Sequence, residues 1–191
     1  MARDQQRMGL IEGAILEQTL EQKLERVAIA LGGNLGDSQR ILSEAIAVID
    51  QTLSIDVIAR SPFYRTAPVG PPQPDYINAC ITAQTSLSPV ALLHRLLSIE
   101  NQFGRVRQER WGARSLDLDL LFYGNRQIDI SGLTVPHPRL HERSFVLVPL
   151  TDIAPDWQHP ILHQTTAQLL SKLSTAGVEQ LSRRSSSKIA P

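Results

Sequence analysis

The sequence predicts an α+β fold: a ferredoxin-like βαββαβ core, its antiparallel sheet carrying helices on one face, with an extra hairpin and helices toward the C-terminus. Three observations point there. Short apolar runs of strand length alternate with two segments of helical periodicity, in the order strand, helix, strand, strand, helix, strand. Both helical segments carry a start signal, and the second carries a stop signal as well. The chain has 191 residues, 42% of them hydrophobic, so it buries a core without disulfides or a structural metal, and its single Cys80 forms no internal bridge.

Arg26 to Leu31 (RVAIAL) is an apolar run that stops at Gly32-Gly33, as a buried strand does. Asp37 or Ser38 caps the next segment, where Ile41, Leu42, Ala45, Ile46 and Ile49 recur at helical spacing. Ile55 to Tyr64 reads as the second strand and Tyr76 to Thr85 as the third. The loop between them, Arg65 to Asp75 (RTAPVGPPQPD), holds four prolines and joins no ladder. Ser88-Pro89 is a cap followed by proline at the first helical position, and Gly104 marks the stop, which predicts a helix over 89–103. Leu92, Leu96, Ile99 and Phe103 form its apolar stripe, and Glu100 on the flank holds a carboxylate at the core's edge. Ser115 to Tyr123 is the fourth strand, and Gly124-Asn125 predicts a turn that pairs it with Gln127 to Ile130 as a hairpin. The sheet face opposite the helices is left free to bind a ligand.

Charge and hydropathy exclude several classes of function. Lys and Arg together number 19 against 19 Asp and Glu, a balance that argues against wrapping nucleic acid or adhering to an anionic membrane. No apolar run approaches the ~18–20 residues of a membrane span. Residues 1–25 lack a signal peptide's order of charge and hydrophobicity, so a cytoplasmic protein is expected. Those residues, with a weakly amphipathic stretch from Leu10 to Leu24, read as an N-terminal extension, helical or disordered. The functional domain is expected over 26–160, followed by a C-terminal extension over 161–191 whose last ~10 residues have a disordered composition. A monomer is expected, with a dimer through the N-terminal extension as the alternative.

The sharpest chemical signal is Leu116-Asp117-Leu118-Asp119-Leu120. Strict alternation on a strand puts the leucines on one face and both carboxylates on the other. Residues two apart on a strand lie roughly 6.6 Å apart. Two such aspartates and no histidine suit Mg²⁺ better than zinc, because Mg²⁺ keeps waters and completes its shell with phosphate oxygens. The plain alternative is a solvated strand face. Just upstream, Arg105 to Arg114 (RVRQERWGAR) places four arginines in ten residues beside the acidic pair. Guanidinium forks match phosphate oxygens, and Trp111 within the run suggests a lid. Gly32-Gly33-Asn34-Leu35-Gly36-Asp37 lacks the lysine of a phosphate-binding loop and reads mainly as a strand-to-helix turn. His137 and His141 stand at zinc-pair spacing, but Pro138 breaks the helix that such a pair needs.

Taken in order, several segments resemble the 6-hydroxymethyl-7,8-dihydropterin pyrophosphokinase family of folate synthesis. They are Ser61-Pro62-Phe63-Tyr64-Arg65-Thr66, Asp75-Tyr76-Ile77-Asn78-Ala79, Glu100 to Arg105, Arg110-Trp111-Gly112-Ala113-Arg114-Ser115-Leu116-Asp117-Leu118-Asp119, and Val135-Pro136-His137. The resemblance spans Val27 to Trp157 and implies a ferredoxin-like fold, ATP as co-substrate, two Mg²⁺ ions, and transfer of pyrophosphate from ATP to the pterin with release of AMP. It implies Asp117 and Asp119 as metal ligands. It implies a pterin pocket of Thr66, Val69, Tyr76, Asn78 and Phe145, in which the two rings sandwich a flat heterocycle. ATP contacts are implied for Glu100, Arg105, Arg107, Trp111, Arg114, Thr134, His137 and Arg143. Catalytic roles are implied for Arg105, Arg114, Asp117 and Asp119. The chain departs from the family pattern at Gly132 and Pro138, so no nucleotide contact is carried to either. Small-molecule substrates are thus the expected partners, with neither nucleic acid nor membrane among them. A metal-dependent nuclease would add a third acidic ligand and a basic track. A ligand-sensing module would explain the fold without the acidic pair.

Overall fold

The computed structural model describes residues 24–68, 72–104 and 112–182. The N-terminal extension up to residue 23 and the tail from residue 183 lie outside the described residues. The strands are β1 (Glu25–Gly33), β2 (Ile55–Arg60), β3 (Tyr64–Thr66), β4 (Tyr76–Thr85), β5 (Asp117–Tyr123), β6 (Ile128–Ile130), β7 (Leu133–Val135) and β8 (Val178–Gln180). The helices are α1 (Ser38–Asp50), α2 (Pro89–Gln102), α3 (Ser144–Ile153) and α4 (Thr166–Leu170).

Both long helices begin as their caps predict. The Asp37 carboxylate accepts from the Arg40 N–H at 3.2 Å, and the Ser88 hydroxyl accepts from the Ala91 N–H at 3.3 Å, each occupying an orphan donor of a first turn. Gly104 takes φ +74 after α2, a conformation that favours glycine. The main sheet runs β5-β1-β4, and the far edge of β4 is shared by β2 and β3, with β8 outside β3. Every pairing is antiparallel, which is the ferredoxin-like arrangement.

Three details differ from the sequence expectation. The strand expected over Ile55 to Tyr64 is two strands, β2 and β3, because Pro62 has no N–H to donate, and β3 takes in Arg65 and Thr66 from the loop expected to join no ladder, since the prolines begin only at Pro68. Ser61 bridges the break: its N–H donates to the Cys80 carbonyl at 2.9 Å, and its hydroxyl accepts from the Cys80 N–H at 3.0 Å. The hairpin expected between Ser115–Tyr123 and Gln127–Ile130 does not form. Gly124 turns the chain, but β6 pairs with β7 across Gly132, which takes φ +83, and Leu133 and Val135 drop into the core. The sheet face opposite α1 and α2 is also not free along its length.

Two apolar layers account for that last point. One lies between the sheet and α1 and α2, with Ile29, Leu31, Leu42, Ile49, Ile81, Leu92, Leu96 and Leu118 among its residues. The other lies on the opposite face under α3 and α4, where Ala28, Cys80 and Phe122 meet Val146, Leu147, Leu150 and Trp157. Phe122 and Trp157 stack at 5.3 Å, and the Arg26 guanidinium lies 4.3 Å from the centre of the Trp157 ring. Helix α3 thus covers one half of this face and leaves the other half as a cleft.

Candidate active site

Sheet register assembles the floor of that cleft. Asp117 pairs with Gly32, which pairs with Asn78; one step along, Asp119 pairs with Ala30, which pairs with Cys80. Beyond them Asn78 pairs with Tyr64, and Tyr76 with Thr66. Paired residues share a face, so the row from Asp119 to Thr66 looks to one side of the sheet while Leu116, Leu118 and Leu120 look into the first core. The resulting cavity of about 300 Å³ is walled by Phe145 and Val146 at the start of α3, by Arg143 just before it, and by His137, Arg114 and Ala67.

Gly32 matters for its size. A Cβ there would come within 3.2 Å of Asn78 Oδ1, so a larger residue would have to shift that amide by a few tenths of an ångström. Asn78 Nδ2 donates to Thr66 Oγ1 at 2.8 Å, and both residues are buried. This end of the cleft combines two polar side chains held by each other with the rings of Tyr76 and Phe145, which suits a flat heterocycle with a polar edge.

The other end is charged. Arg114 Nη1 donates to Asp117 Oδ2 at 2.9 Å, Arg143 Nη1 lies 3.5 Å from Asp119 Oδ2, and His137 Nε2 lies 3.8 Å from that same oxygen. The ring orientation of His137 follows from its Nδ1, which accepts from the Arg139 N–H at 3.1 Å. Burial holds the His137 imidazole below its usual pKa, Asp119 opposes that shift, and Arg143 adds to it. Burial also draws the Arg143 guanidinium downward against Asp119. Under the neighbouring wall, the Tyr64 hydroxyl donates to Asp152 of α3 at 2.7 Å, and burial plus that carboxylate push the phenol up to about 12.

Glu100 and Thr134 stand apart from this cavity. The Glu100 side chain is 1% exposed, and its Oε1 accepts from the Leu118 N–H at 2.6 Å, behind β5 and between the two aspartates in sequence. The Glu100 carboxylate thus reaches the β5 backbone from the core side of the sheet, where the last turns of α2 lie. Thr134 is exposed on the β6–β7 hairpin, where its hydroxyl donates to Asp129 at 3.2 Å. Val69, Arg105, Arg107 and Trp111 lie outside the described residues.

Asn34 is a site residue that reading the sequence missed. Its Oδ1 accepts from the Arg114 N–H at 2.9 Å, its Nδ2 donates to Gln73 Oε1 and to the Pro74 carbonyl at 3.0 Å each, and its own N–H donates to the Arg114 carbonyl at 2.9 Å. One buried amide therefore ties the end of β1 to the proline loop and to the segment carrying Arg114. Neighbouring Gly33 permits the approach, since a Cβ there would stand 2.3 Å from the Ser115 carbonyl oxygen. The only signal in the sequence was the glycine-flanked position of Asn34 at a strand end.

Comparison with known proteins supplies an independent view. Residues 28–155 match the sequence model of 7,8-dihydro-6-hydroxymethylpterin-pyrophosphokinase (HPPK). The chain is 48% identical over 157 residues to a 2-amino-4-hydroxy-6-hydroxymethyldihydropteridine pyrophosphokinase of Synechocystis, covering 82% of this chain and 80% of that protein. A protein of the same name from Methylorubrum extorquens is 42% identical over 159 residues, covering 83% of this chain and 99% of the relative. Among solved structures, wild-type Plasmodium falciparum HPPK-DHPS superposes with a TM-score of 0.63 at 15% identity, over 78% of this chain. This chain spans 41% of that longer one, and the likeness there is one of fold.

Proposed function

The chain belongs to the 7,8-dihydro-6-hydroxymethylpterin-pyrophosphokinase family, and from that premise we propose how its cleft carries the family's reaction. It transfers pyrophosphate from ATP to 6-hydroxymethyl-7,8-dihydropterin in folate biosynthesis. One observation carries the assignment of residues: a single cavity joins an aromatic and amide-lined end to an end with two carboxylates and three basic side chains.

In this reading Tyr76 and Phe145 hold the pterin ring between them, and Thr66 and Asn78 read its polar edge, with Val69 completing the pocket. Arg114, Arg143 and His137 face the phosphates, and the ATP contacts implied for Arg105, Arg107 and Trp111 lie outside the described residues. The hydroxymethyl oxygen releases its proton, which ends in solvent, and bonds to the β-phosphorus in line as the bond to the α,β-bridging oxygen breaks, and AMP departs with that electron pair. The protein's share is positioning and charge neutralisation, which dominate phosphoryl transfer in general. Asp117 and Asp119 fit a hard divalent cation: both are carboxylates on one strand face, and both are partly exposed to the cleft. Two Mg²⁺ ions bound there would neutralise phosphate charge and align the ATP chain. Among the described residues no group of three or more His, Cys, Asp or Glu forms a cage, so water and the nucleotide would complete the shell.

The reading extends to a cytoplasmic monomer whose pyrophosphokinase domain spans 26–160, with a dimer through the N-terminal extension as the alternative. No described helix is long and apolar enough to cross a membrane. The test is to incubate the chain with Mg²⁺, ATP and the reduced pterin and to follow AMP. Asp117→Ala and Asp119→Ala are expected to abolish pterin-dependent AMP while leaving the circular dichroism spectrum intact; near-normal turnover in either would overturn the metal assignment.

A further inference from the structure

β3 is three residues long, yet it delivers Thr66 to the pterin end of the cleft and begins the proline loop. On its inner side it pairs with β4. Its outer side would be an open sheet edge but for β8, which returns from the far end of the chain and pairs Tyr64 with Gln180, Arg65 with Glu179, and Thr66 with Val178. The Leu181 N–H donates to the Phe63 carbonyl at 2.8 Å. Alternation along an antiparallel ladder then makes Arg65 and Glu179 the next hydrogen-bonded pair, and Thr66 and Val178 a non-hydrogen-bonded pair with closely apposed side chains. Val178 therefore flanks Thr66, whose hydroxyl accepts from Asn78. A strand this short has few ladder bonds of its own, so removing half of them frees its end to move. The match to the family's sequence model stops at residue 155, more than twenty residues before β8 begins.

We infer that β8 is a positioning element for substrate recognition: by completing the ladder on the outer edge of β3 it holds Thr66 in the geometry that binds the pterin, without itself touching the substrate. The inference rests on the assignment of Thr66 and Asn78 to the pterin end. Ladder pairing, not side-chain charge, is the working contact, so Glu179→Pro, which removes the N–H facing Arg65, is the informative change and Glu179→Gln its control.

In the 191-residue chain, Glu179→Pro is expected to raise the dissociation constant for 6-hydroxymethyl-7,8-dihydropterin by about tenfold, as when only about a tenth of molecules hold the competent geometry. The dissociation constant for ATP should stay unchanged, and Glu179→Gln should behave as the parent. Coupling is reciprocal, so in the unmodified chain pterin must slow hydrogen exchange at the Arg65 and Glu179 amides. That second measurement stands even if the proline variant fails to fold. Unchanged pterin affinity in Glu179→Pro, an equal loss of ATP affinity, or pterin-independent exchange at those amides would overturn the inference. Asn78→Ala separates the two layers: if it weakens pterin binding while Glu179→Pro does not, the pocket stands and the brace falls; if Asn78→Ala changes nothing, the pocket assignment itself falls.

Discussion

Replacing Glu100 tests whether a buried carboxylate serves the nucleotide or the strand behind it. The side chain sits in the last turn of α2, where the helix dipole disfavours an anion, and is sealed from solvent. What holds it there includes the 2.6 Å hydrogen bond from the Leu118 N–H, the amide between Asp117 and Asp119. Glu100→Gln keeps an oxygen for that amide and removes the charge. A charge-assisted hydrogen bond contributes ~1.5–3 kcal/mol and a neutral one ~0.5–1.5, so the change should cost about 1–1.5 kcal/mol. At ~2–4 °C per kcal/mol for a chain of this size, Tm should fall by about 2–6 °C. Glu100→Ala leaves the buried N–H without this acceptor, about 1–3 kcal/mol, and loses packing besides; a total of ~3 kcal/mol lowers Tm by about 6–12 °C. Because both aspartates flank the released amide, kcat should fall by about tenfold or more, consistent with the ~10²-fold cost of a 1 Å misplacement. Thermal unfolding followed by circular dichroism, with AMP formation at saturating substrates, reads both effects. An unchanged Tm in Glu100→Gln, together with a raised KM for ATP and an unaltered kcat, would refute the reasoning and return Glu100 to the nucleotide.

Three further outcomes follow from the same geometry. Gly33→Ala forces a methyl against the Ser115 carbonyl and should destabilise the chain by ~1–3 kcal/mol, typical of overpacking; a denaturant midpoint equal to the parent's would contradict the close approach. Asn34→Asp keeps the acceptor for Arg114 but loses both donors to the proline loop, whereas Asn34→Ala loses all three side-chain bonds. Pterin-dependent kcat/KM should therefore fall in the order parent, Asp, Ala, and equal losses in the two variants would remove the tie to the proline loop. The buried His159 ring, whose Nδ1 accepts from the Ile161 and Leu162 N–H groups, is held below its usual pKa by burial, then by His141 and His163. The unfolded chain therefore takes up the proton first, so this stability is fully present above about pH 6.5 and is lost as pH falls through the window below it. Urea unfolding at pH 7 and pH 5 should show a larger loss for the parent than for His159→Gln, and parallel losses would exclude His159 as the source.

Local signals carried much of this molecule. The caps at Asp37 and Ser88, the glycine stops and the runs of β1 and β4 are written in adjacent residues, because hydrogen bonds at helix ends and the pleat of a strand act over a few positions. The Leu-Asp-Leu-Asp-Leu alternation likewise put two carboxylates on one face, since a period of two is a property of the backbone alone. Tertiary contacts decided the rest. Register across β5, β1, β4 and β3 determines that Asp117, Gly32, Asn78 and Tyr64 form one row, a matter of pairing between residues up to eighty-five positions apart. The break at Pro62 was visible as a residue, but its repair by the Ser61 hydroxyl requires Cys80 to stand opposite. Whether β6 pairs with β5 or β7 depended on where Leu133 and Val135 find a core, and the cleft exists only because α3 covers half a sheet face. Composition and spacing determine what each segment prefers. Which polar groups meet is determined by the core, because burying its apolar surface selects one arrangement of those segments and carries Asn34, Glu100 and Thr66 to their partners.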